Sequence, residues 1–193
     1  QTQLTVSAAQ LISISIAPAV GGSAKIPAGY SGSYVATGSY SDGSLQNLTA
    51  TANWLSSNLP IATVGNGSGN KGVVTGIAVG TSSITASLSG VVGTVALTIS
   101  NATLSSISVT PANSTVHPNS KLQYSALGTF SDATTLSLTQ QVTWSSSNTL
   151  AATISNAAGS KGLAEAGFLA GTTTIGASVN GITGSTQLTR ALN

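Results

Sequence analysis

The chain has 193 residues, 40% of them hydrophobic and only 4% charged, a composition that suits one or two packed domains and excludes intrinsic disorder. Its net charge of +2 comes from five scattered Lys and Arg residues against three acidic ones, so no clustered basic face exists for nucleic acid. Cysteine and methionine are both absent, which excludes disulfides, thiolate metal sites and cysteine nucleophiles.

The first strand-like segment lies at the start of the chain, and residues 1–10 are predicted to form an element of their own. Six residues carry the pattern: Thr2, Gln3, Leu4, Thr5, Val6 and Ser7. The segment aligns with residues 95–100 and therefore resembles the last strand of a repeat that lacks its own domain. It is either the remainder of a preceding repeat, a strand that completes the sheet of a neighbouring subunit, or a strand that pairs within the chain.

An internal repeat with a period of about 90 residues organises the remainder of the chain. Tyr40-Ser41-Asp42 returns as Phe130-Ser131-Asp132, and Trp54 returns as Trp144. The repeat predicts two domains, at residues 11–100 and 101–193. Because only residues 100–103 separate the last strand of one repeat from the first of the next, the two domains are expected to lie end to end.

Within each repeat, apolar residues alternate with polar or small ones, which is typical of half-buried strands. The alternation is clear at residues 34–38, 84–88 and 95–99, and turn signals such as Ser89-Gly90 and Asn180-Gly181 separate the segments. No window shows the periodicity of an amphipathic helix. About seven short strands per repeat fit an all-β fold of two tandem sandwiches.

Large aromatic residues at equivalent positions are predicted to form the core of each sandwich. Trp54 and Trp144 lie within predicted strands, and Tyr34 and Tyr124 belong to the alternating segments. Aromatic residues make up only 4% of the chain, so one indole per domain is the largest available core group. We interpret all four residues as structural.

The repeated residues resemble a known family, the bacterial immunoglobulin-like domain of group 2. In the first repeat, the resemblance rests on the motifs Ile14-Ser15-Ile16, Tyr40-Ser41-Asp42-Gly43-Ser44, Trp54, Ser56-Ser57-Asn58 and Ile84-Thr85-Ala86. The second repeat carries the same pattern, except that Asp132-Ala133-Thr134 replaces Asp42-Gly43-Ser44. The resemblance implies an Ig-like sandwich and tandem modules, as found in intimin- and invasin-like adhesins, other surface proteins, phage structural proteins and secreted enzymes.

Few residues could support catalysis or hold a metal ion. Asp42 and Asp132 lie in equivalent predicted turns, where an Asp side chain bonds its own backbone. Glu165 and His117 have no acidic or imidazole partner nearby in sequence. We therefore predict that the chain is not an enzyme and has no catalytic, cofactor-binding or metal-binding residues.

The glycine-rich stretch 65–72 contains Lys71 but lacks the Gly-Lys-Ser/Thr order and the following helix of a phosphate-binding loop. Its end, Lys71-Gly72, returns as Lys161-Gly162. This repetition indicates a turn requirement that both domains share.

These observations predict an extracellular or cell-surface protein with a structural or adhesive function. Expected partners are other copies of the chain or neighbouring repeats, and a surface receptor or polysaccharide; neither nucleic acid nor membrane insertion is expected. The chain is a candidate filament subunit that assembles by addition of its N-terminal strand. The alternative is a carbohydrate-binding or spacer module of a secreted enzyme or phage structural protein. It requires exposed aromatic side chains, for which the candidates are Tyr30, Tyr40, Phe130 and Phe168.

Overall fold

A computed structural model describes residues 8–192, and all regular secondary structure within that range consists of β-strands. Two compact units are present, the first ending at Asn101 and the second beginning at Ala102. The all-β fold class and the sandwich-like arrangement of sheets are as predicted. In the described part of the chain, no helix has the length and hydropathy needed to cross a bilayer.

The first unit contains nine strands in two sheets. The strands are β1 (Leu11–Pro18), β2 (Lys25–Pro27), β3 (Ser31–Tyr40), β4 (Leu45–Asn47), β5 (Asn53–Ser56), β6 (Ala62–Val64), β7 (Val73–Gly76), β8 (Gly80–Leu88) and β9 (Val91–Ser100). One sheet has the order β1-β3-β7-β6, with β4 also paired to β3, and the other has the order β2-β9-β8-β5.

The second unit contains ten strands. They are β10 (Leu104–Thr110), β11 (Ser114–Val116), β12 (Lys121–Gln123), β13 (Ser125–Phe130), β14 (Thr135–Ser137), β15 (Thr143–Ser146), β16 (Ala152–Ile154), β17 (Leu163–Ala166), β18 (Gly171–Val179) and β19 (Ile182–Arg190). The orders are β11-β19-β18-β15 for one sheet, and β10-β13-β14 and β12-β17-β16 for the others.

The number of strands per unit exceeds the predicted seven. Three-residue strands account for the excess, because such short pairings leave too few alternating positions to stand out in the sequence. In the second unit, an interruption at Tyr124 also splits the counterpart of β3 into β12 and β13.

Alternation along the long strands produces the core of each unit. In β3, Gly32, Tyr34, Ala36 and Gly38 are buried, while the residues between them are half-buried or exposed. β8 buries Ser82, Ile84 and Ala86, and β18 buries the corresponding side chains of its own sequence. The apolar faces of the two sheets therefore meet inside each unit.

Tight hairpins connect the last two strands of each unit. Ser89 and Gly90 have φ values of 51° and 83°, and Asn180 and Gly181 have values of 50° and 79°. Positive φ at both central residues is the requirement of a type I′ turn, whose twist matches that of the flanking strands. Both predicted turn signals therefore connect the strands as expected.

A short strand near the beginning of each unit pairs in parallel with that unit's last strand. In the first unit, β2 pairs with β9 in the register Ile26 to Ile99. In the second unit, β11 pairs with β19 in the register Val116 to Arg190. Every other pairing among the described strands is antiparallel.

The chain enters and leaves the first unit at opposite ends of β3. Leu11, the first residue of β1, pairs with Tyr40, the last residue of β3. The carbonyl of Ser100, the last residue of β9, accepts the N–H of Ala28, three residues before β3 begins. A ten-residue strand is roughly 33 Å long, so this distance separates the two ends.

Candidate functional site

Each unit has a buried tryptophan whose indole is fixed by a hydrogen bond. Nε1 of Trp54 donates to the carbonyl oxygen of Thr49 at 3.0 Å, and Nε1 of Trp144 donates to that of Thr139 at 3.1 Å. Both rings are almost completely buried. The two residues occupy the core positions that the sequence indicates.

An asparagine side chain covers the backbone of each tryptophan. β5 and β15 are edge strands, and the N–H of Trp54 donates to Oδ1 of Asn66 at 3.1 Å. In the second unit, Asn156 accepts the N–H of Trp144 and donates to its carbonyl oxygen, both at 2.8 Å. The amide of Asn156 therefore pairs with the edge as a neighbouring strand would. This role was not predicted from the sequence, although a shift of 90 residues relates the two asparagines.

The two core tyrosines have different hydroxyl environments. The Tyr34 hydroxyl donates to the carbonyl oxygen of Ser23 at 2.8 Å, and burial raises the pKa of Tyr34 to about 12. The Tyr124 hydroxyl is buried without a partner in hydrogen-bonding geometry. Burial also raises the pKa of Tyr124, and the nearby Ser114 side chain partly offsets the rise.

The repeated Lys-Gly pair forms the same turn in both units. Gly72 and Gly162 have φ values of 74° and 81°, a region that favours glycine. A Cβ on Gly72 would also lie 2.5 Å from the carbonyl oxygen of Tyr34. Nζ of Lys71 donates to the carbonyl oxygen of Ala52 at 2.8 Å, as Lys161 does to Gln140 at 2.9 Å. The glycine-rich stretch therefore forms a strand-connecting loop.

The two aspartates stabilise turns. Oδ1 of Asp42 accepts the amide of Ser44 at 2.9 Å and its hydroxyl at 2.7 Å, and these bonds hold the pKa of Asp42 below its usual value. Oδ1 of Asp132 accepts the amide of Thr134 at 3.1 Å. Ala133 adopts a φ of 63° where Gly43 has 81°, so both units form the turn with a left-handed residue at this position.

The remaining ionisable residues do not converge on a site. Glu165 forms an exposed ion pair with Lys121 across β17 and β12. His117 is exposed, and its backbone carbonyl accepts the N–H of Ser120. Within residues 8–192, no three His, Asp or Glu side chains are grouped so that they could hold a metal ion.

An open groove of about 570 Å³ lies on the first unit. It is lined by Asn47, Thr49, Ala50, Ser68, Gly69 and Lys71. The Lys71 ammonium is engaged by the carbonyl of Ala52, and Asn47 accepts the amide of Thr49. The groove therefore uses its polar groups to hold its own loops.

The four aromatic candidates for a carbohydrate platform differ in exposure. The expectation for Tyr30 and Phe130 is wrong, because these side chains are only 7% and 2% exposed. Phe130 pairs with Leu104 at a register shift between Leu104 and Ser106 and packs inside the unit. Tyr40 is half-buried, whereas Phe168 is 93% exposed on the loop before β18.

The N-terminal segment predicted to add to a neighbouring sheet, Thr2 to Ser7, lies outside the described residues. Among the described residues before β1, the N–H of Gln10 donates to Oγ of Ser41 at 3.0 Å.

Comparison with known proteins identifies a matching family and a related protein. Residues 103–189 match the bacterial Ig-like domain (group 2) family. This match lies in the second unit and agrees with the resemblance of its motifs; for the first unit, the resemblance stays a prediction. The chain is 42% identical over 186 residues to ice-binding protein 1 of Shewanella frigidimarina. That alignment covers 96% of this chain and 20% of the relative, so the chain spans about a fifth of the relative's length.

One solved structure supports the fold, and a second is reported beside it. Domains 5–6 of the S-layer protein SbsC cover 96% of this chain and all of their own at 16% identity, with a TM-score of 0.51. The Escherichia coli adhesin FdeC covers 96% of this chain and 66% of its own at 14% identity, with a TM-score of 0.34. At 16% identity, the similarity to the SbsC domains concerns the fold alone.

Proposed function

We propose that the chain is a load-bearing structural module of a larger protein that acts outside the cell. The observation that carries this proposal is the parallel pairing of β2 with β9 and of β11 with β19.

The direction of load explains why this pairing matters. Because the chain enters and leaves the first unit at opposite ends of β3, tension on the chain acts along the strands. Parallel strands pulled in this direction must slide past each other, so their hydrogen bonds are loaded together and not one after another. Antiparallel hairpins such as β8–β9 bear the load only after this parallel pairing has broken.

Single-molecule pulling of the chain between its termini tests the proposal. The carbonyl of Val116 accepts the N–H of Ala191 at 3.0 Å, and Val116 pairs with Arg190. Because the N–H and the C=O of one strand residue point to the same side, the N–H of Val116 also faces β19. Val116→Pro removes that donor from β11. We expect the unfolding force of the second unit to fall markedly while that of the first unit stays unchanged.

Val116→Ala is the matched control, because it removes buried side-chain carbons but leaves the backbone donor. It should lower the free energy of unfolding by about 2 kcal/mol and retain most of the unfolding force. An unchanged force in Val116→Pro, or an equal loss of force in both variants, would contradict the load-bearing role.

The name of the relative suggests the setting in which such a module would work. Ice-binding protein 1 is named for ice binding, and this chain corresponds to about a fifth of it. We propose that this chain serves a protein of that kind as a connecting module. We expect this chain, carrying a fluorescent label, to be excluded from a slowly growing ice front. Incorporation into the ice would place ice binding in the Ig-like units themselves and overturn the connecting role.

Assembly into filaments by addition of residues 2–7 to a neighbouring sheet remains a proposal from the sequence. Electron microscopy of the chain with and without residues 1–7 tests it. Filaments that form only with the segment present would support strand addition, and filaments that persist after its deletion would contradict it.

A further inference from the structure

The loop between β17 and β18 differs from its counterpart in the first unit by one extra residue. Three residues separate Gly76 from Gly80 in the first unit, whereas four separate Ala166 from Gly171 in the second. The two glycines that open β8 and β18 have nearly the same φ, 154° and 151°, so the loops end in the same geometry.

Backbone hydrogen bonds place the extra residue at the tip. In the first unit, the N–H groups of Ile77 and Ala78 both donate to the carbonyl of Ile61. In the second unit, Gly167 donates to Ala151 at 2.8 Å and Leu169 donates to Leu150 at 3.0 Å. Phe168 is thereby looped out between two anchored neighbours. The ring projects from a fixed base, which lowers the entropic cost of ordering it on binding.

The surroundings of Phe168 indicate what kind of molecule it could contact. Leu150 and Leu169 are 57% and 56% exposed, and the N–H of Leu169 donates to the carbonyl of Leu150, so two further exposed apolar side chains belong to the same loop region as Phe168. Asn148 accepts the N–H of Leu150, and its Nδ2 lies toward Gly171 at the end of the loop. Thr149 is exposed next to it. An apolar face with amide and hydroxyl groups at its rim therefore forms the tip.

Charge and size limit the possible ligands. Residues 147–151 and 167–173 contain no charged side chain, and Glu165 is already paired with Lys121. A charged ligand would need a counter-charge here. A stable protein interface needs about 20 residues on each side, far more than three apolar side chains at a loop tip.

We propose that the Phe168 loop, formed by residues 148–150 and 167–171, is a binding site for a neutral polysaccharide. The C–H face of a pyranose ring is apolar and stacks on an aromatic ring, while its hydroxyl groups meet the amide and hydroxyl groups at the rim. This inference goes beyond the load-bearing role and does not depend on it.

Native affinity electrophoresis of the full chain tests the proposal with three probes in the gel: dextran, a mixed-linkage β-glucan and a galactomannan. The net charge of +2 carries the protein toward the cathode. We expect retardation by at least one probe, and a loss of affinity of about tenfold in Phe168→Ala. Deletion of Phe168, which restores the loop length of the first unit, should have the same effect without altering the fold.

Conservative variants separate ring stacking from simple hydrophobic contact. Phe168→Trp should keep or strengthen the retardation, and Phe168→Leu should lose it. Absence of retardation in all three gels, or equal retardation of parent and Phe168→Ala, would overturn the proposal. A third outcome would also overturn the proposal: no gel retards the parent, and analytical ultracentrifugation shows a dimer that Phe168→Ala dissociates. The loop would then be a contact between copies of the chain.

Discussion

The backbone carbonyl of Ile14 lies directly against Gly93, at the point where the first strand of the first unit approaches the last. A Cβ on Gly93 would overlap that carbonyl oxygen, and the same relationship holds between Ile107 and Gly184 in the second unit. β1 and β9 belong to different sheets, so this close approach joins the two sheets of the sandwich at one edge.

Gly93→Ala should therefore destabilise the first unit strongly. The clash is with backbone, which cannot rotate away as a side chain can, and we expect a loss of about 2–3 kcal/mol in the free energy of unfolding. Thr94→Ala, at the next and exposed position of β9, should change it by less than about 0.5 kcal/mol. Denaturant titration measures both. A Gly93→Ala protein as stable as the Thr94→Ala protein would show that β1 can move away without cost.

Removal of the indole should be among the most damaging changes in the core. Trp54→Ala loses a buried ring and the hydrogen bond to Thr49, and should cost about 3–5 kcal/mol. Trp54→Phe keeps most of the apolar area and should cost clearly less. Calorimetry of both variants checks this, and a Trp54→Ala protein that melts within a degree or two of the parent would disprove the structural role.

The two Asp turns offer a reciprocal experiment. Ala133 adopts a left-handed φ at which a Cβ is unfavourable, so Ala133→Gly should stabilise the second unit by about 1 kcal/mol. Gly43→Ala places a Cβ in open space at the same kind of φ and should destabilise the first unit by a similar amount. Shifts of the same sign in chemical denaturation would contradict the equivalence of the turns.

Alkaline pH should weaken the first unit through Tyr34. Its folded-state pKa is raised to about 12, so the neutral hydroxyl favours the folded state. The contribution is complete below the unfolded-state pKa of about 10 and is lost as the pH rises from 10 to 12, by about 2 kcal/mol. Urea titrations at pH 9, 10.5 and 11.5 measure the slope. Tyr34→Phe should flatten it for the first unit, and an unchanged slope would assign the effect to other groups.

The sequence predicts the fold well because its signals are local. Alternation places Tyr34, Ala36 and Gly38 on one face of β3, and the Ser89-Gly90 pair specifies its hairpin without help from distant residues. Because the pattern is repeated, the equivalent positions of both repeats support the same strand and turn assignments. Fold class and core tryptophans follow from these patterns.

The finer features depend on contacts that no local pattern encodes. Phe168 is exposed because it is looped out between two anchored residues, whereas Phe130 is the last residue of β13 and is buried, although both are single aromatic residues among small ones. The pairing of Asn156 with Trp144 likewise requires a loop twelve residues away to fold back along an edge strand. Sequence spacing alone does not indicate that the loop carrying Asn156 folds back onto β15.

The asparagine that pairs with each edge tryptophan also has a consequence for biosynthesis. Adjacent repeats of similar sequence are prone to exchange strands with one another while they fold, and an open edge is where such an exchange starts. An amide already bonded to the backbone of Trp144 leaves an incoming strand from a sister repeat fewer groups to bond at that point. Each of the two repeats can therefore close on itself although a repeat of similar sequence lies next to it in the chain.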